Sequence, residues 1–174
     1  MLSTFDRDAF KSRLAQLSVL PDLAPGLEFG ISGYWDQIPA GYTDGAGNVL
    51  IPRPLHEYIA SAHAAYLAYP IDAQAEGYWL WHTGDAAPST SMRGGFLQLG
   101  WELRGWGPYA RLEAIARDAE DVFFNISAAP TRLLDLRGGL RYSLAEQAIL
   151  KAEFGEELHS HTRHFAIQAA FGVP

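Results

Sequence analysis

Residues 95–118 read GFLQLGWELRGWGPYARLEAIARD, and this stretch decides the fold because apolar and polar side chains alternate on both sides of one tight turn. In the first arm Leu97, Leu99, Trp101 and Leu103 share a face, with Gln98, Glu102 and Arg104 opposite. In the second arm Ala110, Leu112, Ala114 and Ala116 lie opposite Tyr109, Arg111, Glu113 and Arg117. Successive strand side chains point to opposite faces, so a period of two predicts a β-hairpin with one apolar and one charged face.

The pattern continues in both directions. Upstream, GLEFGISGYWD (26–36) sets Leu27, Phe29, Ile31 and Trp35 against Glu28, Ser32, Tyr34 and Asp36. LHEYIASAHAAYLAY sets Tyr58, Ala60, Ala62, Ala64 and Tyr66 against Glu57, Ser61 and His63. DAQAEGYWLWH sets Ala73, Ala75, Trp79 and Trp81 against Gln74, Glu76, Tyr78 and His82. Downstream, RLLDLRGGLRY places Leu134, Leu136, Leu140 and Tyr142 opposite Asp135, Arg137 and Arg141. QAILKAEFGEE places Ala148, Leu150, Ala152 and Phe154 opposite Lys151, Glu153 and Glu157. RHFAIQAAFGV places Phe165, Ile167, Ala169, Phe171 and Val173 opposite His164 and Gln168.

Each of these segments reads as a strand with an uncharged apolar face. FKSRLAQLSVL, from Phe10 to Leu20, alternates poorly, and Phe10, Leu14 and Leu17 also fit a helical stripe; strand is the preferred reading.

Composition agrees with many strands and turns. Five Trp, eight Tyr, nine Phe and seventeen Gly occur in 174 residues. A net charge of −7 without any basic run argues against nucleic acid or an anionic membrane surface as a partner. The absence of cysteine excludes disulfides, thiolate zinc sites and thiol catalysis. No apolar stretch reaches the roughly 18 residues a spanning helix needs, so any membrane crossing must use strands.

Which residues fill each face points to lipid. A packed core wants interlocking bulky side chains, whereas Ala60, Ala62 and Ala64, or Ala110, Ala114 and Ala116, would leave it underfilled. Lipid chains cover such a surface without strain. Tyr58 and Tyr66 stand roughly 26 Å apart along a strand, or about 20 Å of membrane normal after a tilt near 40°. The expected aromatic girdle is Tyr58, Tyr66, Trp79, Trp81, Trp101, Tyr142, Phe165 and Phe171. The expected lumen wall is Glu102, Arg104, Arg111, Glu113, Arg117, Asp135, Arg137, Arg141, Lys151 and Glu153.

Connections alternate between short (LPDLAPG, YPID, GWG, YSLAE) and longer ones (QIPAGYTDGAGNVLIPRP, TGDAAPSTSMR, DAEDVFFNISAAPT, ELHSHT). Short periplasmic turns and longer outer loops are the rule in transmembrane barrels. The fold expected is an all-β, antiparallel up-and-down transmembrane β-barrel with eight or nine strands in residues 1–174, read as one domain. An odd strand count and the start MLSTFDRDAF, which is no signal peptide, lead to the expectation of a C-terminal portion of a larger barrel.

The run GFLQLGWELRGWGPYARLEAIARD resembles the strand, turn, strand unit of the phosphate-selective porin (O and P) family and related proteobacterial porin-like proteins. LRGGLRYSLAEQAILKAEFGEE resembles their penultimate hairpin, and AIQAAFG their closing strand. The resemblance spans about residues 8–174. It implies an outer-membrane pore, but phosphate selectivity is not carried over, because the family lines its pore with excess Lys or Arg and this charged face mixes signs. Phe171 is followed by Gly172, Val173 and Pro174, a departure from the terminal aromatic common in such barrels.

The expected function is passive diffusion of small hydrophilic solutes or ions across the bacterial outer membrane. The expected partners are outer-membrane lipid and those solutes, and a homo-oligomer is compatible with the sequence. A non-conducting barrel that scaffolds a partner, and a soluble ligand-binding barrel, are the alternatives. No cofactor, metal or catalytic residue is expected. The Arg and Lys side chains could order anions, but pairing with Glu102, Glu113, Asp135 and Glu153 is the favoured reading. His159, His161 and His164 read as a solvated loop before a metal site, and Ser61 with His63 as a chance neighbour pair before a nucleophile and base.

Overall fold

The computed structural model describes residues 12–43, 49–51, 53–84, 87–121, 124, 130–145 and 148–171. Nine strands form one antiparallel sheet: β1 (Arg13–Val19), β2 (Leu27–Ile38), β5 (Leu55–Ala68), β6 (Ile71–Gly84), β7 (Ala87–Trp101), β8 (Trp106–Arg117), β9 (Arg132–Ala145), β10 (Ala148–Glu157) and β11 (Thr162–Phe171). Each pairs with the next in that order, which is the up-and-down topology that the alternation predicts. A small ladder of β3 (Tyr42–Thr43) and β4 (Val49–Ile51) lies within the connection from β2 to β5. The sheet is not closed: β1 and β11 are its two edges. The segment that also fitted a helical stripe is strand from Arg13 to Val19, while Phe10 and the terminal Gly172–Pro174 lie outside the described residues.

Register keeps the two faces separate across the whole sheet. Phe29, Ile31 and Trp35 stand opposite Ala64, Ala62 and Tyr58, which in turn oppose Ala75, Gly77 and Trp81. Leu97 opposes both Ala75 and Leu112, and Leu112 opposes Leu136. A slip of one residue in any pair would turn an apolar row onto the charged face.

Among the described residues, none packs as a second layer against the apolar face. Trp79 is 47% exposed, Leu97 49% and Ile167 66%, whereas the buried hydrophobic side chains among the described residues are Ile51, Leu55 and Leu80. All eight girdle aromatics lie on this face. Seven of them are exposed, and Tyr142 stacks on Trp106 with ring centroids 4.4 Å apart.

Three expectations need correction. The medium connection TGDAAPSTSMR is mostly strand, since β6 runs to Gly84 and β7 begins at Ala87. Its small polar residues hide the alternation, because beyond the apolar band both faces of a strand can be polar. The apolar face is also not uncharged. Arg13, Arg93, Arg132, Glu156 and Arg163 share it, paired across strands with Trp35, Ala116, Ala116, Leu136 and Glu156 respectively.

The third correction concerns Arg104, which is not a strand residue of the charged face. The β7–β8 turn is centred on Arg104 and Gly105, with φ of 52° and 83°, and is closed by Leu103 N to Trp106 O at 2.8 Å and the reverse bond at 3.0 Å. Two positive φ values define the mirror-image hairpin turn whose twist matches the flanking strands. Gly105→Ala should destabilise the protein by about 1–2 kcal/mol through left-handed backbone strain, read as a lowered urea midpoint in detergent; an unchanged midpoint would contradict the turn geometry.

Candidate functional site

The charged face carries two groups of ion pairs, one around Arg137 and one around Arg141. Arg137 on β9 is 2.5 Å from Asp135, 3.5 Å from Glu153 on β10 and 3.8 Å from Glu113 on β8. Lys151 lies 2.8 Å from Glu153, and Tyr109 donates a short hydrogen bond to the same carboxylate. Arg111 pairs with Glu113 at 3.5 Å and covers the Phe96 ring at 3.8 Å. Arg141 reaches Asp72 at 3.2 Å and Glu102 at 3.3 Å. Asp72 sits on β6, three strands from Arg141, or about 14 Å across a flat sheet. Side chains standing perpendicular to a flat sheet would not meet over that span.

Arg141 covers the distance by lying down. Its cross-strand partner is Gly107, and a Cβ there would meet the Arg141 Cγ at 2.5 Å. Four further pairs repeat the device on this face: His63 over Gly30, Tyr78 over Gly94, Tyr109 over Gly139 and His164 over Gly155. In each, an added methyl group would collide with the overlying side chain.

The structure thus brings together Arg111, Glu113, Asp135, Arg137, Lys151 and Glu153 in one group and Glu102 with Arg141 in another, so these cations pair with carboxylates as the sequence favoured, with partners it did not assign. Arg117 lies at the end of β8, where its Nε donates to the Pro130 carbonyl at 3.3 Å. Ser61 and His63 have separate partners: Ser61 Oγ is 2.9 Å from Ser32 Oγ, and His63 Nε2 is 3.5 Å from Glu28. His159 contacts Glu157 and His161 contacts Glu156, and among the described residues no group of three His, Asp or Glu side chains is placed to hold a metal ion.

One polar cluster escaped the sequence reading. His82 on β6 is 1% exposed, with Nδ1 2.7 Å from Asp121 Oδ2 and Nε2 2.9 Å from Glu57 Oε2. Asp121 belongs to the connection between β8 and β9. Thr90 on β7 donates to it at 2.5 Å, its Oδ1 accepts from the Phe124 amide at 3.2 Å, and Phe124 stacks on the His82 ring at 5.4 Å. With both carboxyl groups ionised, only an imidazolium ring donates to both. Burial alone would raise the Asp121 carboxyl, but the hydrogen bonds from His82 and Thr90 overcome it and hold the value at about 2. The cluster clasps the start of the β8–β9 connection against the charged face, since His82 and Glu57 both project there. Only Asp121 and a lone His were visible locally; the 39-residue separation hid their meeting.

Two outcomes are expected. Gly139→Ala should displace Tyr109 from Glu153 and cost about 1–3 kcal/mol, measured by urea unfolding. Asp121→Ala should leave His82 and Glu57 buried without the third partner and cost about 3 kcal/mol, seen as faster exchange of the Asp118 and Phe124 amides. Because the folded Asp121 value lies below its ordinary 3.8, the contribution is full above pH 3.8 and is lost as pH falls through about 2. Protection of those amides that collapsed already at mildly acidic pH would contradict the clasp.

Compared with protein-family models, with curated proteins and with solved structures, the chain matches none.

Proposed function

We propose that this sheet is wall of a porin-type β-barrel in a bacterial outer membrane, and that it lines a passive path for small hydrophilic solutes or ions. The single observation that carries the reading is the opposite character of the two faces: large apolar side chains stand exposed on one, and ion pairs cover the other. An apolar surface of this extent in water would drive association, whereas in lipid it is solvated. Unpaired strand edges in lipid cost several kcal/mol per exposed backbone group, so the working barrel must cover the free edges of β1 and β11.

The charged face supports a weakly selective path over a phosphate-selective one. Arg111, Arg137, Arg141 and Lys151 each contact a carboxylate, so little uncompensated positive charge remains for an anion. The clasped segment favours a second reading, a non-conducting barrel that holds a partner, because it brings the β8–β9 connection onto the polar face at its loop end.

Planar-bilayer recording separates the two. A conducting barrel should give stepwise currents with little preference between potassium and chloride, and Asp72→Asn with Glu102→Gln should shift preference toward chloride by freeing Arg141. A silent bilayer would sink the pore reading, and stable monomeric protein in detergent-free buffer would sink the membrane reading.

A further inference from the structure

The cations of the apolar face divide into two kinds. Arg163 pairs with Glu156 at 2.9 Å, and Arg13 covers the Trp35 ring at 5.0 Å. Arg93 on β7 and Arg132 on β9 have no acidic partner among the described residues, although the chain carries a net charge of −7 and the cations of the other face are largely paired. They are not scattered. Both stand opposite Ala116 of β8, one on each side, which puts their Cα atoms about 10 Å apart. Arg93 also faces Trp79, two residues on the mid-sheet side of the level of Tyr58 and Trp81. The nearer end of the sheet is the one with the longer connections, and long arginine side chains reach toward the nearer interface while their stems stay on apolar surface.

The two arginines share a cavity of about 600 Å³ with Trp79, Trp81, Ser91 and Asp118. The Asp118 carboxylate is turned to Ser91, accepting from its amide at 2.7 Å and its hydroxyl at 3.1 Å. Next to this cavity, and sharing Trp79, Arg93 and Ala116 with it, lies an apolar hollow of about 440 Å³. Its lining on this face includes Gly95, Leu97, Leu112 and Ala114. The small residues Gly95 and Ala114 stand side by side in register on β7 and β8 and form the floor of this hollow, with the Trp79 ring beside Gly77 at its edge. A guanidinium pair beside an apolar hollow matches a molecule with an anionic head and a hydrocarbon tail.

We infer that Arg93 and Arg132 hold the phosphate of an anionic lipid whose acyl chain lies in the groove over Gly95 and Ala114. The occupant is a membrane lipid and not free phosphate, because the apolar groove continues directly from the cationic cavity. This inference rests on the membrane reading above. Planar, bidentate guanidinium groups suit a phosphomonoester better than a zwitterionic head, in which a choline ammonium offsets the charge.

The test uses the protein in bicelles of phosphatidylcholine, with and without phosphatidic acid. Wild-type protein should unfold at a higher temperature when phosphatidic acid is present. Arg93→Gln/Arg132→Gln should lose that rise and bind phosphatidic acid roughly tenfold more weakly per arginine removed. Arg104→Gln, which removes a charge from the turn at the other end, should keep it. An equal rise in the double variant, or the same rise from inorganic phosphate added to pure phosphatidylcholine bicelles, would overturn the lipid site while leaving the membrane reading intact. Protein that fails to enter bicelles of either composition would overturn both.

Discussion

On the charged face, five glycines stand directly opposite five large polar side chains, and no other residue type fits beneath them. His63, Tyr78, Arg141, Tyr109 and His164 each lie flat across the neighbouring strand where a Cβ would otherwise stand. Faces of Leu and Ala forbid a slip of one residue but not of two, because a two-residue slip keeps every side chain on its own face. A tyrosine or arginine that fits only over a glycine does not tolerate a slip. These seats are distributed over the pairs β2–β5, β6–β7, β8–β9 and β10–β11, so they pin half of the eight strand pairs.

The ionic network follows from the same geometry. Because Arg141 and Tyr109 lie down instead of standing up, they reach strands beyond their immediate neighbours, and Asp72, Glu102 and Glu153 become reachable. The charges therefore form cross-braces over several strands. With its charges satisfied laterally, the polar face needs no second layer of protein above it. Among the described residues the apolar face has none either, so the stability of the sheet depends on what solvates each side.

The two ends of the sheet differ in kind. At the short-turn end the apolar face carries Tyr66, Trp101, Trp106 and Tyr142, and the hairpin turn at Arg104–Gly105 closes without slack. Toward the other end lie the clasp of His82, Asp121, Thr90 and Glu57 on one face and, on the other, Arg93 and Arg132, which have no acidic partner among the described residues. Chemistry beyond solvation is concentrated there, as expected where connections are long enough to fold back on the strands that bear them.

The nine sheet strands and their order were legible in the residues themselves, whereas the β3–β4 ladder, the strand in TGDAAPSTSMR, the turn position of Arg104 and the charges on the apolar face were not. Alternation is a local property: Leu97, Leu99 and Trp101 announce a face within five positions, and short connections between such segments leave antiparallel neighbours as the simplest arrangement. The pairing of Arg137 with Glu153 was foreseeable in type, since both signs occupy one face, but not in partner. Cross-strand contacts join residues tens of positions apart, and nothing local in the sequence states the offset. Only the folded sheet could therefore seat Tyr109 on Gly139, bring Asp121 to His82 and set Arg93 and Arg132 on either side of Ala116. Periodicity fixes which way a side chain points, and register, a non-local quantity, decides what it meets.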